Sequence, residues 1–358
     1  MGRKAVRSKI APALRREVLQ LAEQLLQKCT VPPNSVKEEW EQFVSIYELV
    51  QQIRLKEQAY GFVPPDRDAR GFATFMKWAK SKGIKADKVD TAKFGIGGFG
   101  LRASAEIQEE ELFLSVPKDA MMTIETANKS SLGWLIEIDP LLQNMPYVTL
   151  ALHLLCEKFS SSSAWTSYIN ILPGTFTVPL YFTLEEFQML KGDPAYDEAL
   201  KQYRHIARQY AYFYKLFHTA TDVKGILFLK ENFSYDAYRW AVSVVMTRQN
   251  MIPSADTSGL IAALIPMWDM CNHINGKIST DFNPERNCSE CYALQHFKKG
   301  EQVFIFYGAR TNTLFLIHSG FVCKNNLYDT VPVKLGISKS DPLFYEKCIL
   351  LTRLEISV

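Results

Sequence analysis

The polar residues best placed for chemistry sit at the end of an apolar run. Leu264-Ile265-Pro266-Met267 leads into Trp268-Asp269-Met270-Cys271-Asn272-His273. Polar side chains that follow a buried stretch must find partners, in the protein or in a ligand. Asn272 brings two donors and an acceptor, enough to anchor a polar ligand. A second segment, Val303-Phe304-Ile305-Phe306-Tyr307-Gly308, reads as a hydrophobic strand that delivers the phenol of Tyr307 to a flexible turn. His273 suits a hydrogen-bonded core position and a ligand contact equally well. His153 lies on an apolar stretch and reads as a structural residue.

Two patterns invite other chemistry and do not carry it. Gly95-Ile96-Gly97-Gly98-Phe99-Gly100 fits G-x-G-x-x-G, the turn that cradles a dinucleotide pyrophosphate. That mechanism needs a buried strand before the glycines and a helix N-terminus after them. Here polar, alternating Lys88–Phe94 comes before, and strand-like Leu101-Arg102-Ala103-Ser104 after. The glycines read as a tight β turn or as a backbone lip over a cofactor. Cys288 and Cys291 have C-x-x-C spacing, but no second pair accompanies them, so no metal site is expected. The seven cysteines are too scattered for a disulfide framework and read as reduced thiols.

These segments need a scaffold, and the chain can supply one. Its 358 residues suggest about two domains or one large domain with insertions. With 47% hydrophobic and 22% charged residues, a sizeable core can be buried and wholesale disorder is excluded. A formal net charge of +3 argues against a protein whose main task is gripping nucleic acid. No apolar run reaches the length of about 18 residues that a membrane span needs, and the start lacks the apolar core of a secretory signal. A reducing compartment, cytoplasmic with the nucleus as a second location, is expected. Arg3, Lys4, Arg7, Lys9, Arg15 and Arg16 read as a solvated basic tail.

Periodicity orders the elements. Leu14, Val18, Leu21, Leu25 and Leu26 predict a helix that Pro32-Pro33 stops; further helices are predicted over Val36–Gln58 and Phe72–Lys80. Short strands follow at Val89–Phe94, Phe99–Ser104, Leu112–Val116 and Met121–Ile124. Helices return at Val148–Phe159, Tyr181–Lys191, Asp193–His218 and Tyr235–Arg248; Thr183 with Glu186 forms a capping box for the second of these. The Tyr and Phe run at 210–217 reads as helix core. Strands are predicted again at Leu260–Met267, Ser289–Phe297 and Gln302–Tyr307, with a helix from Asn312. The order helices, strands, helices, strands is an α+β design in which strands from both sides of a helical insertion build one β core.

Gly-Phe-Gly-Leu-Arg-Ala at 98–103, Asp-Met-Cys-Asn-His at 269–273 and Phe-Tyr-Gly at 306–308 occur in a characteristic order and spacing. The set resembles the SET-domain methyltransferases, in the branch with a large helical insert to which the Rubisco lysine methyltransferases belong, over about residues 85 to 321. Residues 25–29, 207–214, 238–243, 246–250 and 268–273 are more similar to the branch that methylates a histidine of actin. The resemblance implies an N-terminal helical region over 1–84 and a SET domain over 85–310 with its insert at about 130–255. Residues 311–358 would then begin a C-terminal helical substrate-binding domain that is mostly absent.

The resemblance also implies roles. S-adenosylmethionine would meet Gly97, Gly98 and Phe99, the carboxylate-pairing Arg248, the segment Asp269, Met270, Cys271, Asn272 and His273, and Ser319, Gly320 and Phe321. Arg67 and Arg70 both stand where the family has an arginine before its first strand. The family's acidic residue before Gly98 is Gly97 here, which weakens cofactor binding. Tyr307 and Asn250 would be catalytic, with Asn250 holding the imidazole nitrogen that is not methylated. Arg208, Gln249, Trp268 and Arg310 would bind substrate. The implied reaction is N-tele methylation of a histidine of actin by a monomeric enzyme. A lysine methyltransferase and a non-catalytic actin-binding form are the alternatives.

Overall fold

The structure, a computed structural model, describes residues 11–95, 98–220, 227–256, 258–332 and 336–354. It opens on three helices, α1 (Pro12–Thr30), α2 (Val36–Glu57) and α3 (Ala69–Ser81). Ser35 and Asp68 cap the second and third, their side chains accepting from the Glu38 and Gly71 amides. Arg15 and Arg16, read as part of a basic tail, belong to α1. Four strands follow: β1 (Val89–Phe94), β2 (Gly98–Ala103), β3 (Leu112–Pro117) and β4 (Met122–Thr123).

The insertion is wholly helical among its described residues. It comprises α4 (Ile124–Asn128), α5 (Gly133–Ile138), α6 (Pro140–Asn144), α7 (Pro146–Phe159), α8 (Thr166–Ile169), α9 (Leu184–Met189), α10 (Pro194–Thr219), α11 (Leu227–Asn232) and α12 (Tyr235–Arg248), with short 3-10 turns between. The Thr183/Glu186 capping box is formed and opens α9. α10 packs against α1 and α2. Its Tyr203, Tyr210, Phe213, Tyr214 and Phe217 are fully enclosed, so the aromatic run is core. At the junction with α2, the buried Glu57 carboxylate accepts from the Tyr210 hydroxyl (2.5 Å) and the Tyr235 amide (2.6 Å).

Beyond the insertion come β5 (Gln249–Pro253), β6 (Leu260–Leu264), β7 (Asn272–His273), β8 (Thr280–Asn283), β9 (Cys288–Tyr292) and β10 (Gln302–Ile305), then α13 (Asn312–Ser319) and α14 (Phe344–Arg353). The strands form three small sheets, β1-β2-β10-β7, β3-β9-β8 and β4-β6-β5, rather than one. Every sheet draws strands from both sides of the insertion. β4, which precedes it, and β5, which follows it, both pair with β6. The insertion therefore closes on itself over a single sheet.

Several expected boundaries shift. Residues 249–253, expected inside the helical insert, are strand β5, because each finds an antiparallel partner on β6. The strand expected to run to Met267 stops at Leu264, and Met267 has φ 71°, which no strand accommodates. Phe94 faces Gly98 across antiparallel β1 and β2, and a strand rather than a helix starts at Gly98, so the dinucleotide reading fails on topology. Cys291 shares a hydrogen bond with Cys271 rather than converging with Cys288, and all seven cysteines are free.

His153 lies on α7 and is 1% exposed, with Nε2 3.1 Å from the Thr126 hydroxyl. Burial pushes its pKa down to about 4 from an ordinary 6.5. The unfolded chain takes up a proton below about 6.5 and the folded chain does not until about 4. Stability from this group is full above that window and is lost as pH falls through it, on the order of 3 kcal/mol in all. Urea unfolding of His153→Gln is expected to show a stability–pH slope shallower by roughly one proton across that range.

Candidate active site

The site is built where α12 ends. Arg248 is its last residue and β5 begins at Gln249, so one helix end and one strand start deliver Arg248, Gln249 and Asn250 together. From the far side, β6 runs out at Leu264 and the chain reverses at Met267, at φ 71° and ψ −42°. This is a strained conformation for a residue with a side chain, costing about 1–3 kcal/mol. It sets a single 3-10 turn, Trp268–Met270, against Arg248.

The contact is a buried ion pair. Arg248 Nη1 donates to the Asp269 carbonyl (2.7 Å) and lies 3.1 Å from its Oδ2, and the Asp269 side chain is 0% exposed. The Tyr168 hydroxyl, from α8, donates to the same Oδ2 at 2.6 Å. Burial works against the Arg248 charge, but Asp269 together with Tyr168 and Tyr307 holds the pKa above the ordinary value. Burial, then Asp269, drives the Tyr168 phenol well up, so it stays a donor.

A groove of about 490 Å³ opens beside this clamp. Its lining includes Arg248, Gln249, Asn250, Trp268, Asp269, Cys271, Tyr307, Arg310 and Ser319, all singled out by sequence. The Tyr307 hydroxyl donates to the Cys271 carbonyl at 2.6 Å, which fixes the ring. Burial raises its pKa, with Cys271 adding to the effect. Asn250 Nδ2 has only a long 3.4 Å contact to the Arg248 carbonyl, and Gln249 Oε1 is buried without a partner.

A second cluster lies behind the groove. His273 Nδ1 accepts from the Tyr307 amide (3.2 Å), and its ring packs among Phe306, Tyr307, Phe315 and Phe321. Burial, with Arg310 adding, brings its pKa down to about 4. The ring is neutral at pH 7, and the accepting Nδ1 leaves the proton on Nε2, which is buried without a partner. Asn272 and His273 form β7 and pair in parallel with β10. Gly100 lets these side chains close in: a Cβ there would lie 2.6 Å from Gln302 Nε2 and 3.0 Å from Asn272 Nδ2, and the two amide ends would have to shift.

The structure separates the two candidate arginines. Arg70 is exposed at the start of α3 and faces Asp68 at 3.5 Å. Arg67 is drawn in: Nε donates to the Ile171 carbonyl (2.6 Å), the guanidinium lies 5.5 Å from the Phe99 ring centre, and Nη2 is buried without a partner. Burial, with Arg248 adding, takes its pKa down to about 9. That combination marks a cation held ready for an anion.

Other candidates fall differently. Arg208 is exposed on α10 and is not in the groove lining; its field falls on Cys29 and His205. Met270 is a core side chain, 1% exposed. Gly97 lies outside the described residues. Gly320 caps α13 at φ 76°, where a Cβ would meet Thr177 Oγ1 at 2.7 Å, and Phe321 stacks on Phe315. Sequence reasoning missed Tyr168 and the rim residues Tyr147, Ile278, Thr280, Leu314 and His318, which no local motif marks. A larger hollow of about 840 Å³ lies between α1 and α2, but its Gln, Glu and Pro lining assembles no catalytic set.

The chain matches the SET domain family model over residues 98–308. It is 48% identical over 338 residues to the actin-histidine N-methyltransferase of Gallus gallus and 47% identical to that of Homo sapiens. Each alignment covers 94% of this chain and 57% of the relative, so the chain spans just over half the length of these curated relatives. In structure it is similar to the SET domain of LSMT bound to lysine and AdoHcy, with TM-score 0.65 at 21% identity over 81% of this chain and 65% of that one. Rubisco LSMT bound to AdoMet is similar at TM-score 0.63 and 23% identity, over 80% of this chain and 64% of that one.

Asp269→Ala leaves the Arg248 charge buried and uncompensated, so a stability loss of about 3–5 kcal/mol is expected in urea unfolding. Tyr168→Phe removes one hydrogen bond to a charged group and is expected to cost about 1.5–3 kcal/mol.

Proposed function

The chain belongs to the SET domain family, and on that premise we propose that it transfers a methyl group from S-adenosylmethionine to a histidine of actin. The observation that carries this reading is the groove itself, where the amides of Asn250 and Gln249 share one cavity with Trp268 and Tyr307. An amide can hold an imidazole by one ring nitrogen, whereas a lysine stem is better met by an apolar channel. The names of the curated relatives support the same substrate.

The residues fit the cofactor. Arg67 Nη2, His273 Nε2 and Gln302 Nε2 are buried polar atoms without protein partners. Arg67 would take the carboxylate, since Arg248 Nη1 is already committed to Asp269. Phe99 and Phe321 would face the purine, while Asn272 and the Nε2 proton of His273 offer donors to its edge. Gly98, at φ 65°, has open space where a Cβ would stand. When bound, S-adenosylmethionine supplies a methyl group on a cationic sulfur.

The chain's own contribution is orientation. A free imidazole has a pKa near 6.5 and is largely neutral at pH 7, so it needs no strong base to become nucleophilic. Asn250, holding one ring nitrogen, leaves the other nitrogen's lone pair free and directed. Trp268 is 7% exposed, and Tyr307 is fixed by its hydrogen bond to Cys271, so both present rigid aromatic walls. Arg310, exposed at the rim, would engage the peptide around the target. With actin as the substrate, the proposal takes the cytoplasm as the location, with the nucleus as a second one.

Mass spectrometry of actin peptides after incubation with labelled methyl donor tests the proposal. Label on a histidine is expected; label on lysine, or none, overturns it. Asn250→Phe and Tyr307→Ala are each expected to lower the rate by roughly 100-fold, the scale of lost substrate orientation. A third variant addresses the cofactor side. A Cβ at Gly174 would lie 2.4 Å from the Pro65 carbonyl, two residues before Arg67. Calorimetry should show Gly174→Ala and Arg67→Met each weakening S-adenosylmethionine binding by about tenfold, through loss of one charged hydrogen bond.

A further inference from the structure

We propose that the exposed face of α3 and the turn after it form an electrostatic docking surface for an acidic face of the folded protein substrate, separate from the groove. Between Asp68 and Asp87 the chain has no acidic residue, while Arg70, Lys77, Lys80, Lys82 and Lys85 crowd the same stretch. α3 buries Phe72, Phe75 and Ala79, which leaves Ala73, Thr74, Lys77, Lys80 and Ser81 on the solvent side. Lys82 and Lys85 extend the patch past the helix end and are exposed. Among the described residues, none of these four lysines has an ion-pair partner, whereas neighbouring Lys88 is paired with Glu111. The dipole at the helix C-terminus accounts for a lysine in the last turn, such as Lys80, but not for Lys77 or Lys85.

The patch is placed to act on the site. Phe72, on the same helix, packs 4.5 Å from the Phe99 ring, at the cofactor side. Lys80 lies eight residues further along, about 12 Å at the helical rise. This is about one and a half Debye lengths at physiological salt, so the patch acts by touching the partner's own surface and not by a field reaching into the site.

Charge complementarity favours a carboxylate-bearing protein over nucleic acid. A nucleic-acid face combines arginine forks with stacking platforms. Here the one arginine faces Asp68, and Trp78 packs on Phe75 and Tyr168 with its indole N–H given to the Ala164 carbonyl. The sequence pI of 8.3 is below the value of about 9 typical of a nucleic-acid-binding domain. Scattered carboxylates suit flexible, singly directed ammonium groups.

The proposal rests on the methylation reading only for its probe, monomeric actin. The combined variant Lys77→Glu, Lys80→Glu, Lys82→Glu and Lys85→Glu is compared with wild type by direct binding and by methyl transfer. Circular dichroism checks that both are folded. At about 50 mM salt the variant is expected to bind actin at least tenfold more weakly, and the difference should vanish near about 0.5 M salt. The KM for a short histidine peptide, which reaches only the groove, should not change. The proposal is overturned if actin affinity is unchanged, if the loss persists at high salt, or if wild type does not bind actin. It is also overturned if wild type retains duplex DNA or anionic vesicles through these lysines while actin binding is indifferent to them. Actin binding that depends on the lysines, without methyl transfer by wild type, would sink the methylation reading and leave the docking surface standing.

Discussion

The buried pair of Arg248 and Asp269 holds the rest of the site in place. It joins three parts of the chain that are far apart in sequence: the end of α12, the turn after β6, and α8 through Tyr168. Two charges removed from water lose solvation that their mutual attraction offsets only with good geometry and further hydrogen bonds. Here Arg248 meets both the carbonyl and the carboxylate of Asp269, and the tyrosine adds a third contact. Such an arrangement contributes little net stability but punishes any other placement of its members. The helical insertion and the β core are locked together at the point where the groove opens.

The sheets make that lock possible. Each combines strands from before and after the insertion, and β6 accepts β4 on one edge and β5 on the other. The two ends of the insertion are thereby held on either side of β6, however many helices lie between. α12 returns to this sheet with no loop between Arg248 and Gln249, so the helix end and the groove wall cannot move independently. The strain at Met267 belongs to the same design, because the reversal there brings Trp268 and Asp269 into register with Arg248.

Much of this was legible in the chain, and the illegible parts share a cause. Helices with strong periodicity, and the one opened by the Thr183/Glu186 box, were placed well, whereas α3 begins at Ala69, ahead of the expected Phe72, because the Asp68 side chain caps it. The β1–β2 hairpin follows from alternation and glycine. β5 was missed because Gln249-Asn250-Met251-Ile252-Pro253 has no strand pattern of its own and is extended only by its pairing with β6. The choice between Arg67 and Arg70 turned on burial, which spacing does not encode. Tyr168 carries no motif and matters only because α8 happens to face Asp269.

By itself, the sequence determined the alternation of helical and strand regions, the three ordered motifs, and the residue types that reach the groove. These depend on local periodicity, turn chemistry and short spacings, all properties of contiguous residues. Tertiary structure decided which side chains act together: that Arg248 is committed to Asp269, that Arg67 and not Arg70 is drawn in with a donor left over, and that Arg208 stands outside the groove. It also decided that Lys77, Lys80, Lys82 and Lys85 are all left exposed and without an ion-pair partner among the described residues. Desolvation and pairing arise between segments far apart in the chain. They exist only once the fold has removed water from some groups and left it on others.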